Sequence, residues 1–475
     1  MLRLSSIFLL SLFLQGNEPG VQISNTYYLA KNGNDSNDGK TFATAWKTLA
    51  KLNSIQLKPG DKVLLEGAVL FEGELIIDRE DAGISNTPVV ISSTGKERAL
   101  IKAGKGKGIY IYNTQGVVVK NLVVEGDGVI GNPDNSGIEI LADDASLNLS
   151  GFSIENCKTS GFGKYGILIN AQKDERCGLS KVVIRNCEAT LNGEGGIGSL
   201  THFPAIAHRD IKVLNCKTYK NRGILSKTSN HSGNGIVMGG VDGLLIDGCE
   251  SWQNGEDNRS DGGGPVGIWI WCCRNGIIQN CISRDNYAGL KYDGGGYDID
   301  GGSVNCTIRY CRSYNNEGAG YLICEFGYHK HPYYGNSVHH CSSRNDGLKN
   351  SYGAITISGT NDEYKVTNAV IHDNEIYVSA EKAINGIPSA FYFYAHHFRG
   401  IRFANNSVVV EKGTTLLRCD TLFNNQWVSF SNNRYQLRSG TIPVSCSNKK
   451  DTSLSDWGKI LGYNFEKKKN RGANK

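Results

Sequence analysis

Apolar and polar residues alternate with period two along this chain in short runs, and the runs recur. The pattern glycine, apolar, any, apolar, any begins at Gly108 (GIYIY), Gly137 (GIEIL), Gly166 (GILIN), Gly196 (GIGSL), Gly235 (GIVMG), Gly267 (GIWIW), Gly296 (GYDID) and Gly320 (GYLIC). Successive starts lie 29, 29, 30, 39, 32, 29 and 24 residues apart. Between them falls a second repeated segment that ends in Asn-Cys, as in FSIENC, VVIRNC, IKVLNC and GIIQNC. Each period therefore holds at least two short strands joined by turns. Such strands, with no helical stretch between them, predict an all-β chain wound as a parallel β-helix solenoid. In that fold coils stack at about 4.8 Å and the apolar parity of every strand fills the interior. The blades of a β-propeller need about 40 to 50 residues and four antiparallel strands, too many for these periods.

Parity also assigns the faces. The second and fourth residues of GIYIY, GIEIL, GILIN and GIWIW are Ile, so these positions point inward and the third and fifth outward. Ile109, Ile138, Ile167, Ile197, Ile236, Ile268, Tyr297 and Tyr321 should then form one buried ladder, because a one-residue slip would expose every Ile. Cys157, Cys187, Cys216, Cys249, Cys281, Cys311 and Cys341 recur at steps of 30, 29, 33, 32, 30 and 30 residues and should form a second ladder on another sheet. Cysteines spaced by whole coils read as packed thiols; a zinc site needs ligands two to four residues apart, and disulfide frameworks belong mainly to small domains without a core. Crossovers between parallel strands should be right-handed. At the ends, Ala43 to Ile55 carries Trp46, Leu49 and Leu52 at helical spacing and is expected to form a short capping helix. Residues 450–475 are expected to hold a second short helix at Leu454 to Leu461 and a basic tail, leaving 24–449 as the β-helix domain.

Composition narrows the picture further. Among 475 residues there are 59 Gly but only 9 Pro and 2 Met, which favours turns and disfavours a helical bundle. The net charge of +5 comes from 51 basic and 46 acidic residues, yet Lys467, Lys468, Lys469, Arg471 and Lys475 alone supply five positives. The body is neutral, so nothing recommends nucleic acid as a partner. Residues 1–16 read as a signal peptide, with Arg3, an apolar run around Ile7 to Leu10 and a small residue at Gly16. A secreted or periplasmic monomer with no membrane attachment after cleavage is the expectation.

The stretch Tyr28-Leu29-Ala30-Lys31-Asn32-Gly33-Asn34-Asp35-Ser36-Asn37-Asp38-Gly39, followed by Trp46-Lys47-Thr48-Leu49 and Lys58-Pro59-Gly60-Asp61, resembles the opening of exported right-handed β-helix proteins of the pectate-lyase-like superfamily. The coils from Gly108 onward are similar to that superfamily's repeats. The segments Gly262 to Trp269 and Asp293 to Gly302 resemble a carbohydrate-active subgroup. The resemblance implies the fold and a polysaccharide or oligosaccharide substrate, and leaves hydrolase and lyase both open. The Gly-His-Gly segment of polygalacturonases has no match, so their catalytic residues are not carried over.

Parity then selects candidate chemistry. In the Gly296 coil it turns Asp298 and Asp300 outward, and one coil earlier it turns Trp269 and Trp271 outward at matching positions. Carboxylates at i and i+2 on a strand lie roughly 6 to 7 Å apart, near the lower edge of the inverting-glycosidase range. Exposed indoles offer flat faces for sugar rings. The leading expectation is a glycoside hydrolase in an open groove, with Asp298 and Asp300 as acid and base, Asp293 as a helper, and Trp269 and Trp271 as platforms. His231, Lys291 and Glu325 are candidate substrate contacts, with His329 and His331 in the loop after Glu325. Glu139 is outward but several coils away. No cofactor is required and no metal ligand is assigned on this reading. The alternative is a polysaccharide lyase, in which Asp293, Asp298 and Asp300 hold Ca²⁺ and Lys291 or Arg284 abstracts a proton. A non-catalytic glycan-binding rod is the third possibility. Two motif matches are set aside. GxGxxG at Gly193 to Gly198 enters a strand with no helix after it, and Asp35, Asn37 and Gly39 lack the closing Glu of a calcium loop.

Overall fold

The computed structural model describes residues 24–81, 83–327, 331–360, 363–446 and 454–461. The segment assigned to a signal peptide, His329 and the basic tail lie outside the described residues. Three parallel sheets of 14, 13 and 13 strands run the length of the chain. Each coil visits the first sheet, then the second, then the third, beginning with Thr26–Leu29, Leu70–Glu72 and Leu75–Ile77. About 13 coils result. Among the described residues no helix is long and apolar enough to cross a membrane.

The third sheet contains the glycine-led strands, and its register follows parity. Ile109, Ile138, Ile167, Ile197, Ile236, Ile268, Tyr297 and Tyr321 are consecutive Cα partners, and none exceeds 1% exposure. Where the ladder changes from Ile to Tyr, the two rings stack at 5.1 Å. Their hydroxyls reach the corner of the coil, where Tyr297 donates to Arg312 O at 3.0 Å and Tyr321 to Cys311 O at 3.0 Å. A buried phenol is tolerated here because each O–H has an acceptor.

The cysteine ladder sits at the corner between the first and second sheets, and its sequence signature has a backbone cause. Asn156, Asn186, Asn215 and Asn280, each just before a ladder cysteine, adopt φ of 52, 54, 52 and 54°. Asn accepts this left-handed conformation more readily than most residues, and it turns the chain sharply from one sheet to the next. The cysteine that follows faces inward. All seven are free and buried, and neighbours touch, with Cys216 N donating to Cys249 Sγ at 3.4 Å. Beyond Cys341 the column continues with Asn374 and Asn406.

The opposite corner, between the second and third sheets, carries a polar ladder that the repeat pattern did not announce. Asn254 Nδ2 donates to Asn286 Oδ1 at 3.1 Å, Asn286 Nδ2 to Asn316 Oδ1 at 2.9 Å, and Asn316 Nδ2 to Asp346 Oδ1 at 2.8 Å. Each side-chain oxygen also accepts a backbone N–H from the coil before, as Asn286 Oδ1 does from Asn254 N at 3.2 Å. Burial pushes the terminal Asp346 carboxyl up to about 6.

Both ends of the core are closed. The N-terminal helix is shorter than expected, spanning only Leu49–Leu52. Asp35 is the reason: its carboxylate accepts from Lys47 N, Thr48 N and Thr48 Oγ1 at 2.8, 3.1 and 2.7 Å, which pins residues 47 and 48 in an extended turn. Trp46, Leu49 and Leu52 are nonetheless buried against the first coils. At the far end the helix Leu454–Leu461 places Trp457 against Phe423 at 5.3 Å.

Candidate active site

The outer face of the third sheet carries the candidate residues. One outward column runs through Glu139, Leu168, Gly198, Val237, Trp269, Asp298, Leu322, Thr356 and Tyr392 as consecutive Cα partners. A parallel column two residues on contains Gly239 and Trp271 as partners and, from the second coil after Trp271, Cys324, Ser358 and Tyr394. Asp300 N donates to Ile270 O at 2.8 Å, which places Asp300 beside Trp271 in that column. The strands thus set Trp269 against Asp298 and Trp271 against Asp300.

Loops from both edges of the sheet rise over this face and make a cleft of about 510 Å³ whose walls include Tyr165, Phe203, His231, Trp269, Trp271, Asp293, Asp298 and Asp300. A second hollow of about 290 Å³, which shares Gly263, Asp293, Leu322 and Cys324 with it, extends toward Tyr352, Tyr392 and Tyr394. The same loops correct the expectation of two solvent-exposed indoles. Trp269 is only 7% exposed and belongs to an apolar cluster with Tyr165, Leu168, Val237 and Val266 outside the main core. Its Nε1 donates to Asn234 Oδ1 at 3.0 Å. Trp271 is half-buried and lies flat over Gly239, where a Cβ would come within 2.1 Å of the indole. Phe203, 45% exposed, packs beside it at 5.7 Å. The rings that face the cleft opening are therefore Phe203 and Trp271.

The three aspartates differ in environment. Asp293, in the left-handed turn before the strand (φ 55°), accepts from Gly264 N at 2.7 Å and from Tyr352 Oη at 3.0 Å. Burial pushes its carboxyl up, and those two donors oppose the shift. Asp298 is 4% exposed; burial, then the charges of Asp300 and Asp293, push it well above the usual carboxylate range. Asp300 is pushed up to about 8, chiefly by burial, with Gly301 N–H opposing and the charges of Asp293 and Glu325 adding. One oxygen of Asp298 and one of Asp300 are buried with no hydrogen-bond partner. Unsatisfied buried carboxylate oxygens facing a cavity are costly, and they are the arrangement a substrate hydroxyl or water would complete.

Other sequence candidates fall in and out of the cleft. His231 lines it, with Nδ1 3.3 Å from Asn234 Nδ2 and its ring 5.4 Å from Trp269; burial, then the Lys227 charge, push it down to about 4, so it is neutral at pH 7. Glu325 does not line the cleft: 1% exposed, it accepts from Gly302 N at 3.2 Å and Gly327 N at 2.8 Å and braces the turns behind Asp300. Lys291 is exposed, with Nζ 4.5 Å over the Tyr292 ring and not on the cleft wall. Arg284 stands on the second sheet, paired with Glu250 and Asp285 at 3.0 Å each. Neither cation of the lyase reading lines the cleft. His331 Nε2 meets Pro204 O at 2.7 Å and links two loops of the rim. Glu139, five coils from Asp298 in the same column, pairs with Lys107 at 3.0 Å. Asn234, Phe203 and Tyr352 were not foreseen. Asn234 had a visible signal, a polar residue at a strand start where neighbouring coils carry Tyr, Gly or Val.

The model of the right-handed β-helix region matches residues 136–371. The protein is a right-handed parallel β-helix. A curated relative, the lacto-N-biosidase of Bifidobacterium longum subsp. longum, is 31% identical over 151 residues, covering 30% of this chain and 9% of that protein. The match thus spans a small part of the curated relative. Among solved structures, this β-helix is similar to the GH136 lacto-N-biosidase from Eubacterium ramulus as the selenomethionine derivative, with TM-score 0.57 and 18% identity over 89% of this chain and 67% of that one. The native crystal form of that enzyme gives TM-score 0.54 and 17% identity over 87% and 68%.

Proposed function

We propose that this β-helix is a glycoside hydrolase acting on an oligosaccharide or polysaccharide in the Asp293–Asp300 cleft. The observation that carries the reading is the set of three desolvated carboxylates, two with an unpartnered oxygen, opening onto a cavity with Phe203 and Trp271 on its rim. Three like charges in one dry cleft cannot all ionise. The cluster therefore holds a proton and an ionised carboxylate together near neutrality, which is what glycosidic cleavage requires. Asp293 and Asp300, half-buried, keep the access that proton transfer or attack at the anomeric carbon needs. Asp298, nearly sealed between the Trp269 and Leu322 rungs, sets their protonation from beneath. One carboxyl gives its proton to the glycosidic oxygen as the C–O bond breaks. Its partner, as carboxylate, either activates water or attacks the anomeric carbon, and water ends as the new hydroxyl. Likeness to lacto-N-biosidases supports hydrolysis and makes lacto-N-biosides the first substrates to assay. The reading includes export to the periplasm or medium, on the strength of residues 1–16 alone, and a monomer that needs no metal for catalysis.

The test is turnover on lacto-N-biosides and a wider glycan panel, read as new reducing ends. Asp293→Asn and Asp300→Asn should each lose at least about 10³-fold in kcat/KM with the fold intact, while Asp298→Asn should shift the pH profile and keep much of the rate. Full activity in both of the first two variants would reject the assignment. Unsaturated products absorbing in the near ultraviolet would reject hydrolysis itself.

A further inference from the structure

The corner between the first and second sheets, away from the cleft, is faced on most coils by Asn or Gly. On three consecutive coils it is not: Tyr310 (φ 54°), His340 (φ 54°) and Asp373 (φ 55°) take the left-handed corner position. The outward residues before the last two, His339 and His372, are Cα partners on neighbouring strands. The four side chains converge. His372 Nδ1 lies 2.6 Å from Asp373 Oδ2, His339 Nδ1 lies 2.9 Å from His340 Nδ1, and the His339 and His372 rings stack at 4.7 Å with 12° between their planes. One ligand atom from each of His340, His372 and Asp373 lies within 4.8 Å of the other two, and among the described residues no other set of three such groups meets that condition.

Two imidazoles and a carboxylate are a donor set that suits Zn²⁺ and its neighbours and not calcium or magnesium, which take oxygen ligands. A tetrahedral ion with bonds of about 2.0 Å holds its ligands roughly 3.3 Å apart. The three side chains are exposed or half-exposed, so burial does not block their approach from 4.8 Å to that spacing. The Nδ1 to Nδ1 contact has room for a single proton, so one Nδ1 accepts from the other, and an ion bound through that nitrogen would take the place of this hydrogen bond. Arg309 is turned to Gln279 Oε1 at 2.9 and 2.6 Å, and the Tyr310 ring flanks the cluster 5.2 Å from His340.

We infer that His340, His372 and Asp373 bind one divalent transition ion of the Zn²⁺ class, which ties two consecutive coils together at a corner remote from the aspartates. The test uses the full chain stripped with a chelator and titrated with Zn²⁺ alone against a competing chromogenic chelator, alongside thermal melts. One equivalent should bind, and saturating Zn²⁺ should raise the melting temperature. His340→Ala and His372→Gln, each with an unchanged circular dichroism spectrum, should weaken binding by about ten-fold or more and lose the thermal shift. Equal Zn²⁺ binding by the unaltered chain and both variants, or no saturable site in the unaltered chain, overturns the inference. Glycosidase activity, which does not pass through this corner, should be the same with and without the ion.

Discussion

Replacing Asp300 by Asn should make the protein more stable, and by an amount that grows with pH. Asp300 is held up to about 8 in the fold against an ordinary 3.8. Below pH 3.8 the carboxyl is protonated in both the folded and unfolded chain and contributes no difference. Between 3.8 and 8 the unfolded chain releases this proton while the folded chain keeps it, so each pH unit costs the fold about 1.36 kcal/mol. At pH 7 the difference is 3.2 units, or about 4 kcal/mol, an upper bound because the cluster shares its protons. With an unfolding entropy of about 2.1 cal/mol/K per residue over some 400 ordered residues, this corresponds to roughly 5 °C in melting temperature. Asparagine keeps the shape and carries no charge, so its curve should lack this slope. Thermal melts of both proteins from pH 4 to pH 8 give the result directly. Curves that stay parallel over that range would show that Asp300 ionises freely in the fold and would refute the account of the cleft as a desolvated carboxylate cluster.

Catalysis should share the same titration: kcat/KM on a confirmed substrate should fall as pH rises through about 8, where Asp300 loses its proton, and a flat profile from pH 6 to 9 would contradict it. Gly239→Ala places a Cβ 2.1 Å from the Trp271 indole and should reproduce Trp271→Ala, raising KM about ten-fold with a shifted tryptophan fluorescence; an unchanged KM in both would remove the ring from substrate binding. Asn286→Ala should cost about 2 kcal/mol or more in a denaturant titration, since it leaves the buried Asn254 N without its acceptor, Asn286 Oδ1 at 3.2 Å, and removes the ladder bond from Asn254 Nδ2 at 3.1 Å. Ile268→Ala, in the middle of the inner ladder at 0% exposure, should cost 2 to about 5 kcal/mol, and a loss below 1 would mean that the coil collapses around the gap.

Period-two alternation is read directly from sequence, which is why the inner ladder from Ile109 to Tyr321 and the pairing of Trp269 with Asp298 were legible to the residue. Parity tells which face a side chain takes and says nothing of what covers that face. The burial of Trp269 depends on Tyr165 and Asn234, more than 30 residues away, and the support of Asp293 comes from Tyr352, 59 residues on. No local pattern encodes those meetings. Lys291 and Arg284 lie outside the cleft lining for a related reason: nearness in sequence to the aspartates does not fix whether a residue falls on an exposed loop, as Lys291 does, or on a different sheet, as Arg284 does. The asparagine ladder was hidden because Asn in a polar turn between strands reads as solvated, whereas stacking the turns buries Asn254, Asn286 and Asn316. The N-terminal helix was overdrawn because apolar spacing shows which residues face the core and cannot see the Asp35 carboxylate that holds the backbone extended.

A repeat that pairs each coil with the next contains no instruction to stop. Without plugs, the outermost strand at either end of each sheet would offer unpaired backbone groups beside an open apolar bore, a surface on which a second molecule's end coil could stack. Trp46, Leu49 and Leu52 at one end and Trp457 and Leu461 at the other plug that bore. Their contribution is thus to identity as much as to stability. They make the solenoid a particle of fixed length, where the same coils without plugs have the geometry of a growing fibre.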